Sequence, residues 1–315
     1  MANTPDLTTC LASDNGRGEL LPLSPFYALR YHFGMLLGVD DFETEQAYHR
    51  AKMRLHNAWL HREGVVWGFD VRLDRDIGEI RVTPGLALDP AGHELHLESD
   101  ACVNIGQWFD KHREDPDFPD VDPDNPVFDA HVVIRFKACL TRQVPALMEP
   151  CSNDGAGTAY SRVFETVEIL LRPNLAPPRV YPYHLLRLMF GIDEPRKKEN
   201  SNEVTDADTA VLDDVARIQG LPAGQRAAEN LKAFHRFAAL DVIDLKPARS
   251  EDGARALLFP GKDDDPVTLA NITGIELKRQ NDVWVVEPGW VVDPSVRPSH
   301  VATSTLQDLL AALLI

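Results

Sequence analysis

Three side chains that could bind a metal ion stand at alternate positions in the stretch "HELHLE". They are Glu94, His96 and Glu98, and Leu95 and Leu97 separate them. On a β-strand alternate residues share a face, so the two carboxylates and the imidazole would lie on one side and the leucines on the other. Oxygen and nitrogen ligands on one face suit a divalent ion. This stretch therefore raises a metal site, and with it a metal-dependent hydrolase, as one hypothesis.

The spacing of these residues works against a metal site. Alternate residues stand roughly 6.5–7 Å apart along a strand, whereas a metal ion sits about 2.1 Å from each ligand. Three residues in a row therefore cannot all reach one ion without ligands from elsewhere. A hydrated strand face opposite a leucine face explains the pattern without a further assumption, and we predict that face and no metal or cofactor.

A second histidine set lies on the first predicted helix. Glu45 and His49 have the i,i+4 spacing that could chelate an ion, but the H-E-x-x-H motif is absent and Lys52 in the same stripe repels a cation. We predict a charged outer face, or a face packed on a partner subunit. The helical stripe and its neighbouring positions comprise Glu45, His49, Lys52, His56, Asn57 and His61.

Nucleophile and phosphate-binding motifs are also missing. The stretch "NDGAGTAYS" at 153–161 lacks the lysine and the glycine spacing of a P-loop, and no G-x-S-x-G elbow occurs. The run 263–265 in "GKDDDP" predicts a solvated turn, since the calcium-loop pattern is incomplete. We predict no catalytic and no cofactor-binding residue, and no enzyme.

The helix that would position the histidine set is predicted at about 41–62. Asp40 can cap it, with Glu43 as the reciprocal partner three residues on, and Gly64 can end it. Its predicted buried stripe is Tyr48, Ala51, Leu55, Ala58 and Trp59. Short alternating runs separated by Gly, Pro and Asp follow as far as residue 97, and they predict β-hairpins.

Longer strands are predicted after a Pro-rich, acidic loop at 110–127. The runs 129–140 and 162–173 alternate as an antiparallel pair. The long loop between them is of a length that tends to be functional or to bind a partner.

The second half of the chain is predicted to contain helices followed by short strands. A short helix in "YPYHLLRLMFG" precedes two more at about 206–219 and 222–240. In the last of these, Leu231, Phe234, Phe237 and Ala238 share one face. The strands are predicted in "RALLFP", "GIELKR", "DVWVVEPG" and "WVVD". The terminal helix "STLQDLLAALLI" is too hydrophobic to remain without a packing partner.

The predicted fold class is α+β: an N-terminal capped helix packed on antiparallel β-hairpins, a helical middle and a small β-rich C-terminal piece. The predicted boundaries are 1–192 for the N-terminal domain, 193–205 for a linker, 206–245 for the helical segment and 246–315 for the C-terminal subdomain with its apolar helix. A chain of 315 residues exceeds the usual size of one core.

Composition excludes several partner classes. With 44% hydrophobic and 26% charged residues the chain is globular, and a net charge of −17 argues against binding to nucleic acid or to anionic membranes. Neither a signal peptide nor a membrane-spanning run is evident, so cytoplasmic assembly is expected. Cys139 and Cys151 could meet at the base of one loop, but two reduced thiols are favoured.

Two stretches of the chain resemble an uncharacterised protein family. The first, at 31–95, contains "DDFETEQAYHRAK", "LHREGVVWG" and "VTPGLALDPAGHE", and the second is the strand–loop–strand unit at 139–173. The segment "HVATSTLQDLLAALL" also resembles the C-terminal end of that family. Trp67 departs from the pattern, where Cys or a small residue is expected.

The resemblance implies a structural subunit rather than an enzyme. Genes of such proteins often stand beside those for contractile, phage-tail-like particles, and the P-G hairpin is similar to attachment modules of baseplate and tail-fibre proteins. It implies a subunit at the baseplate or tail end, partnered by other subunits or by copies of itself, and found outside the cell when the particle is released. The open alternatives are a metal-dependent hydrolase and a carbohydrate- or protein-binding module. The predicted interface residues are Phe26, Tyr27, Tyr31, Phe33, Trp59, Trp67, Pro145, Leu147 and Tyr160.

Overall fold

The computed structural model describes residues 25–74, 77–145, 158–250, 252–281 and 283–313. The chain divides into two compact units. The β unit comprises Met1–Ala176 and Ala248–Ile315, and the helical unit, Pro177–Pro247, is inserted between them in sequence. The described residues contain antiparallel sheets and helices, so the predicted α+β class is confirmed.

The first helix, α1 (Val39–His56), continues as one π-helical turn at Asn57–His61. Its cap differs from the prediction, because Gly38 is the N-cap and its N–H donates to the Asp41 carboxylate at 2.8 Å. The left-handed residue at its end is Arg62, with φ +66°. Gly64, which we expected in that role, begins the first strand.

Two small antiparallel sheets follow α1. One has the strand order β1-β4-β5 and the other β2-β3-β6, as the hairpin pattern predicts. Their strands are β1 (Gly64–Gly68), β2 (Val71–Asp74), β3 (Glu79–Val82), β4 (Gly85–Leu88), β5 (Glu94–Leu97) and β6 (Ala101–Asn104).

The third sheet is built from the longest strands and is also antiparallel. Its order is β10-β9-β7-β8, with β11 pairing on β9. The predicted β7–β8 pair is confirmed, and in the structure it extends to residue 145 on one strand and begins at 158 on the other. The strands are β7 (Val127–Pro145), β8 (Thr158–Pro173), β9 (Val267–Gln280), β10 (Val283–Val286) and β11 (Val291–Asp293).

The helix α2 (Ile105–His112), which the sequence pattern does not predict, packs against β10 and overlaps the expected 110–127 loop. The Asn104 side chain caps it by accepting a hydrogen bond from the Gln107 N–H at 3.0 Å. Phe118, in the acidic loop, is partly buried against the core rather than exposed. The aromatic cluster that α2 completes consists of Trp108, Phe109, Phe118, Phe128 and Trp284.

The helical unit contains α3 (His184–Met189), α4 (Asp206–Gln219) and α5 (Ala223–Asp244). Its core is formed by Leu185, Leu188, Met189, Val211, Ile218, Ala233 and Phe237. Of the apolar face predicted for α5, Phe237 is buried but Leu231 and Phe234 are exposed. The buried stripe is instead Ala233, Phe237 and Asp241, because the Asp241 carboxylate accepts hydrogen bonds from two backbone N–H groups at the start of α3.

The division into units differs from the predicted domain boundaries. The segment 193–205, predicted to be a linker, lies inside the helical unit, where Lys197 and Val204 form a β-bridge. The C-terminal residues do not form a separate subdomain, since β9 pairs with β7 in the large sheet. The predicted strand "RALLFP" is no strand and contributes only a bridge between Arg249 and Ala256. The boundaries of the units therefore follow the pairing of strands that are far apart in sequence, and not the order of the elements along the chain.

The last helix, α6 (Thr303–Leu313), exposes its described side chains, including Leu306, Leu309 and Leu310. The chain just before it is fixed to β1, since the Val65 N–H donates to the Pro298 carbonyl and the His300 N–H donates to the Val65 carbonyl, both at 2.8 Å. The predicted packing partner of α6 is therefore not found among the described residues.

Candidate interaction surface

The chain between residues 26 and 42, here named the aromatic segment, exposes a dense row of large apolar side chains. Eight of them expose at least two-fifths of their surface, and Phe33 is fully exposed. Scattered exposed apolar residues are ordinary, but a continuous row is typical of a binding surface. The eight are Phe26, Tyr27, Tyr31, Phe33, Leu36, Leu37, Val39 and Phe42.

The aromatic segment is held against α1 by polar contacts. The Lys52 ammonium lies 5.3 Å from the centre of the Phe26 ring, and the Tyr31 hydroxyl donates a hydrogen bond to the Glu45 carboxylate. Partial desolvation and the charges of Glu45 and Asp41 raise the pKa of Tyr31, so its phenol remains a donor at neutral pH. Because Phe26 meets Lys52 and Tyr31 meets Glu45, the segment runs antiparallel to α1.

The opposite side of α1 faces the β4–β5 hairpin of the same unit. Ala47, Ala51 and Arg54 are buried there, and the described aromatic side chains of the segment belong to no buried core cluster. Tyr48, Leu55 and Trp59, predicted to be buried, are only partly buried. The small alanines let α1 approach the β unit closely and leave the larger rings outside.

The other predicted interface residues divide into three groups. Trp67 is half exposed on β1, whereas the Trp59 indole N–H donates to the Leu258 carbonyl at 3.1 Å and is used within the chain. Pro145 and Tyr160 lie near the end of the β7–β8 hairpin, where the Gln143 amide donates to the Tyr160 hydroxyl at 3.1 Å. Leu147 lies outside the described residues.

Leu36, Leu37, Val39 and Phe42 belong to the same surface but were not among the predicted interface residues. They occupy the turn and the first helical residues around the Gly38 cap. The signal was present in the sequence, because four large apolar residues lie within seven positions at the helix start, outside the predicted buried stripe.

Glu94, His96 and Glu98 are exposed, and Leu95 and Leu97 between them are buried. The strand β5 thus has the alternation that the sequence pattern predicts, with the polar side chains facing solvent. Across the described ranges, no three His, Cys, Asp or Glu side chains are arranged so that they could hold a metal ion.

The α1 histidines do not converge either. His49 and Glu45 are 3.4 Å apart and His49 is largely exposed, while His56 and His61 are exposed at separate points. Asn57, which neighbours this stripe, is buried and donates its amide to the Gly92 carbonyl at 3.2 Å. One side of the stripe therefore contributes to packing rather than to ligand binding.

A cluster of charged side chains at the tip of the β4–β5 hairpin, buried except for Asp263, was not anticipated from the sequence. The Nδ1 atom of His93 lies 2.7 Å from the Asp89 carboxylate, and its Nε2 atom lies 3.8 Å from the Asp263 carboxylate. Arg54 donates to the Ala91 carbonyl at 3.0 Å and to the Asp263 carboxylate at 2.5 Å.

The geometry of this cluster suits a structural role at the hairpin tip more than a catalytic one. The His93 ring is buried, stacks on Phe136 with 4.0 Å between ring centres, and faces a carboxylate at each nitrogen. Both ring nitrogens are thus directed at groups of the same chain. The cluster ties the hairpin tip to α1 and to the 259–265 loop.

A second charged cluster holds the helical unit together. His184 lies between two carboxylates, with Asp208 at 2.8 Å and Asp193 at 3.2 Å. Asp208 also accepts the Arg196 backbone N–H at 2.6 Å and its guanidinium at 3.0 Å. Burial alone would raise the pKa of Asp208, but the hydrogen bonds from Arg196 and His184 outweigh burial and lower that pKa to about 2.

One cysteine prediction requires correction. Cys139 takes part in a disulfide bond, and among the described residues Cys102 is the free, exposed cysteine. Cys10 and Cys151 lie outside the described residues. The expectation of reduced thiols is therefore wrong for Cys139, because sequence spacing does not reveal the oxidation state of a thiol.

The chain matches no family model, no curated protein and no solved structure. A lipid bilayer could not be crossed by any helix within the described part of the chain, since none combines sufficient length with sufficient apolar character.

Proposed function

We propose that this chain is a structural or adaptor subunit of a contractile, phage-tail-like particle, placed at the baseplate or tail end. In this role it works through contact with other subunits rather than through catalysis. The observation that carries the proposal is the aromatic segment, whose eight large apolar side chains are exposed.

Exposed aromatic side chains favour a docking role for a physical reason. A partner that covers them removes apolar surface from water at about 25 cal/mol per Å², and rings already held in place lose little conformational entropy on binding. The Lys52–Phe26 and Tyr31–Glu45 contacts hold two of these side chains in place before any partner arrives. Tyrosine is also among the side chains that most often dominate binding energy at interfaces.

The β7–β8 hairpin supports the same proposal. β9 pairs with β7 only as far as Ile134, so the hairpin continues beyond the third strand as a two-stranded ribbon to Pro145 and Thr158. The stretch from residue 134 to 145 spans roughly 35 Å at about 3.3 Å per residue. Phe136 and Cys139 on this stretch still pack inward, but the end of the ribbon near Pro145 and Tyr160 is exposed and is well placed to reach a neighbouring subunit.

The test is incorporation of the chain into native particles. Tyr27→Ser, Phe33→Ser and Leu36→Ser are combined in one variant, and contractile particles are purified from cells that carry either this variant or the wild-type gene. Mass spectrometry and cryo-electron microscopy should find the wild-type chain in the particle and the variant lost from it by at least tenfold.

A matched variant controls for the loss of exposed apolar surface in general. Val180→Ser, Phe190→Ser and Ile192→Ser remove three exposed apolar side chains from the helical unit, and this variant should be incorporated normally. Absence of the wild-type chain from purified particles would refute the proposed function.

A further inference from the structure

The border of the aromatic segment carries a concentrated negative charge. Asp40 and Asp41 lie in the first turn of α1, and Glu43 and Glu45 follow directly. Their position is favourable because the N-terminus of a helix is the positive end of its dipole. Asp41 and Glu45 act directly on Tyr31 of the aromatic segment, and Asp40 and Glu43 lie on adjoining faces of the same helical turns.

We infer that the aromatic segment binds an apolar groove of another protein whose border is rich in lysine and arginine. This inference rests on the proposed function only in using the same surface, and it adds the chemistry of the partner. Carboxylates at the border of an interface select partners of opposite charge and accelerate their encounter, while the apolar centre supplies the contact area.

A second copy of this chain does not fit the surface. The chain has a net charge of −17, and the helical unit contributes ten basic and eleven acidic residues, so nearly all of the excess negative charge belongs to the β unit. Two copies that met through this segment would bring like-charged borders together. The same repulsion opposes anionic lipid surfaces and nucleic acid.

Aromatic rings in the segment add a second preference for cations. A guanidinium or ammonium group over a ring face is attracted by the ring quadrupole, and Lys52 already occupies the face of Phe26 within the chain. Tyr27 and Phe33 have no such cation among the described contacts and are exposed. They are available to the arginines and lysines of a partner.

The test uses two synthetic amphipathic helical peptides of equal length as probes, one built from Leu and Lys and the other from Leu and Glu. Fluorescence anisotropy with the full chain should show binding of the Leu/Lys peptide that weakens as salt is raised, and at least tenfold weaker binding of the Leu/Glu peptide. The Tyr27→Ser, Phe33→Ser, Leu36→Ser variant should lose at least tenfold in affinity for the Leu/Lys peptide, with an unchanged circular dichroism spectrum.

Charge reversal separates this surface from the general negative charge of the protein. Asp40→Lys with Glu43→Lys should weaken the Leu/Lys peptide at least tenfold. Asp120→Lys with Asp122→Lys changes the same number of charges in the acidic loop of the β unit and should weaken the Leu/Lys peptide less than threefold.

Three outcomes overturn the inference: no binding of the Leu/Lys peptide, equal effects of the two charge reversals, or a dimer in analytical ultracentrifugation that the triple serine variant abolishes. None of these requires a particle. Failure to find the chain in particles would refute the proposed function and leave the peptide result standing, so the two failures are distinguishable.

Discussion

The Asp208 carboxylate connects several segments of the helical unit. Its side chain has no exposed surface, and it accepts hydrogen bonds from His184 and from both the backbone and the guanidinium of Arg196. These contacts join the start of α3, the 193–205 segment and the start of α4 at one anionic point. A segment that the sequence suggested was a linker is ordered by this residue.

The lowered pKa of Asp208 makes the stability of the helical unit depend on pH. Because the pKa falls from its ordinary value of 3.8 to about 2 in the folded state, the stabilisation is fully present above about pH 4 and is lost as the pH falls towards 2. The loss should be roughly 1–2 kcal/mol, since solvent around Arg196 screens part of the interaction. Urea unfolding followed by far-UV circular dichroism at pH 6 and pH 2.5 measures it.

Asp208→Asn should lower the stability of the helical unit at pH 6 and reduce its dependence on acid. The matched control is Asp206→Asn, two residues away at a position that is 94% exposed, which should change little. Equal acid sensitivity in wild type and Asp208→Asn would contradict this account.

In contrast to Asp208, we expect Glu94, His96 and Glu98 to contribute little to stability. Their replacement by alanine in one triple variant should change the stability of the β unit by less than about 1 kcal/mol, because exposed side chains without buried partners contribute little. Leu95→Ala, on the buried face of the same strand, should cost about 2–5 kcal/mol. Thermal unfolding measures both, and stoichiometric metal in the wild-type protein that disappears in the triple variant would reinstate the metal site.

Among the secondary-structure elements, the β4–β5 hairpin depends on one glycine. Gly92 has φ +84°, and a Cβ there would lie 2.2 Å from the Arg54 carbonyl oxygen. The turn therefore requires glycine for two reasons. Its backbone is left-handed, and α1 approaches too closely to leave room for a Cβ. The same tight approach lets Arg54 and Asn57 reach the carbonyls of the hairpin tip.

Gly92→Ala should destabilise the β unit by about 3 kcal/mol or more, because the clash is with backbone atoms that cannot move aside. Gly274→Ala is the control, since Gly274 has φ +70° but a Cβ added there would meet nothing within 4 Å, and it should cost only about 1 kcal/mol of conformational strain. Chemical denaturation followed by tryptophan fluorescence distinguishes the two, and similar losses would show that the close contact with α1 is unimportant.

The elements also show where sequence patterns succeed. The α4 boundaries, the β7–β8 pair and the alternation in β5 follow from local periodicity and turn residues. The cap of α1 and the whole of α2 do not, because several polar residues near each start could serve as a cap and only packing chooses among them. The aromatic segment was predicted only in part, because the sequence shows its apolar residues but does not show that they are exposed.

For the chain as a whole, the helical unit interrupts in sequence a sheet that is continuous in space. β7 and β8 precede the insertion and β9 follows it, yet β7 pairs with β9. The five tryptophans of the chain all belong to the β unit. Tryptophan fluorescence therefore reports on that unit alone.

Replacement of residues 177–247 by a flexible Gly/Ser linker should leave the β unit folded. The core cluster of each unit is formed from its own residues, so the excised chain retains the residues of the β-unit core cluster. Tryptophan fluorescence and its denaturation midpoint should remain close to those of the full chain. Collapse of the fluorescence signal in the excised protein would mean that the units depend on one another for stability.

Local residue spacing was sufficient to establish the fold class, the hairpin-rich character of the β unit, the helix α4 and the polar face of β5, because each depends on residues that are close in sequence. Long-range packing was needed to join β9 to β7, to bring Arg54, His93 and Asp263 together at a hairpin tip, and to leave residues 26–42 outside the core. The reason is that periodicity shows which face of an element is apolar, whereas the choice of what covers that face depends on the packing energy of distant segments together.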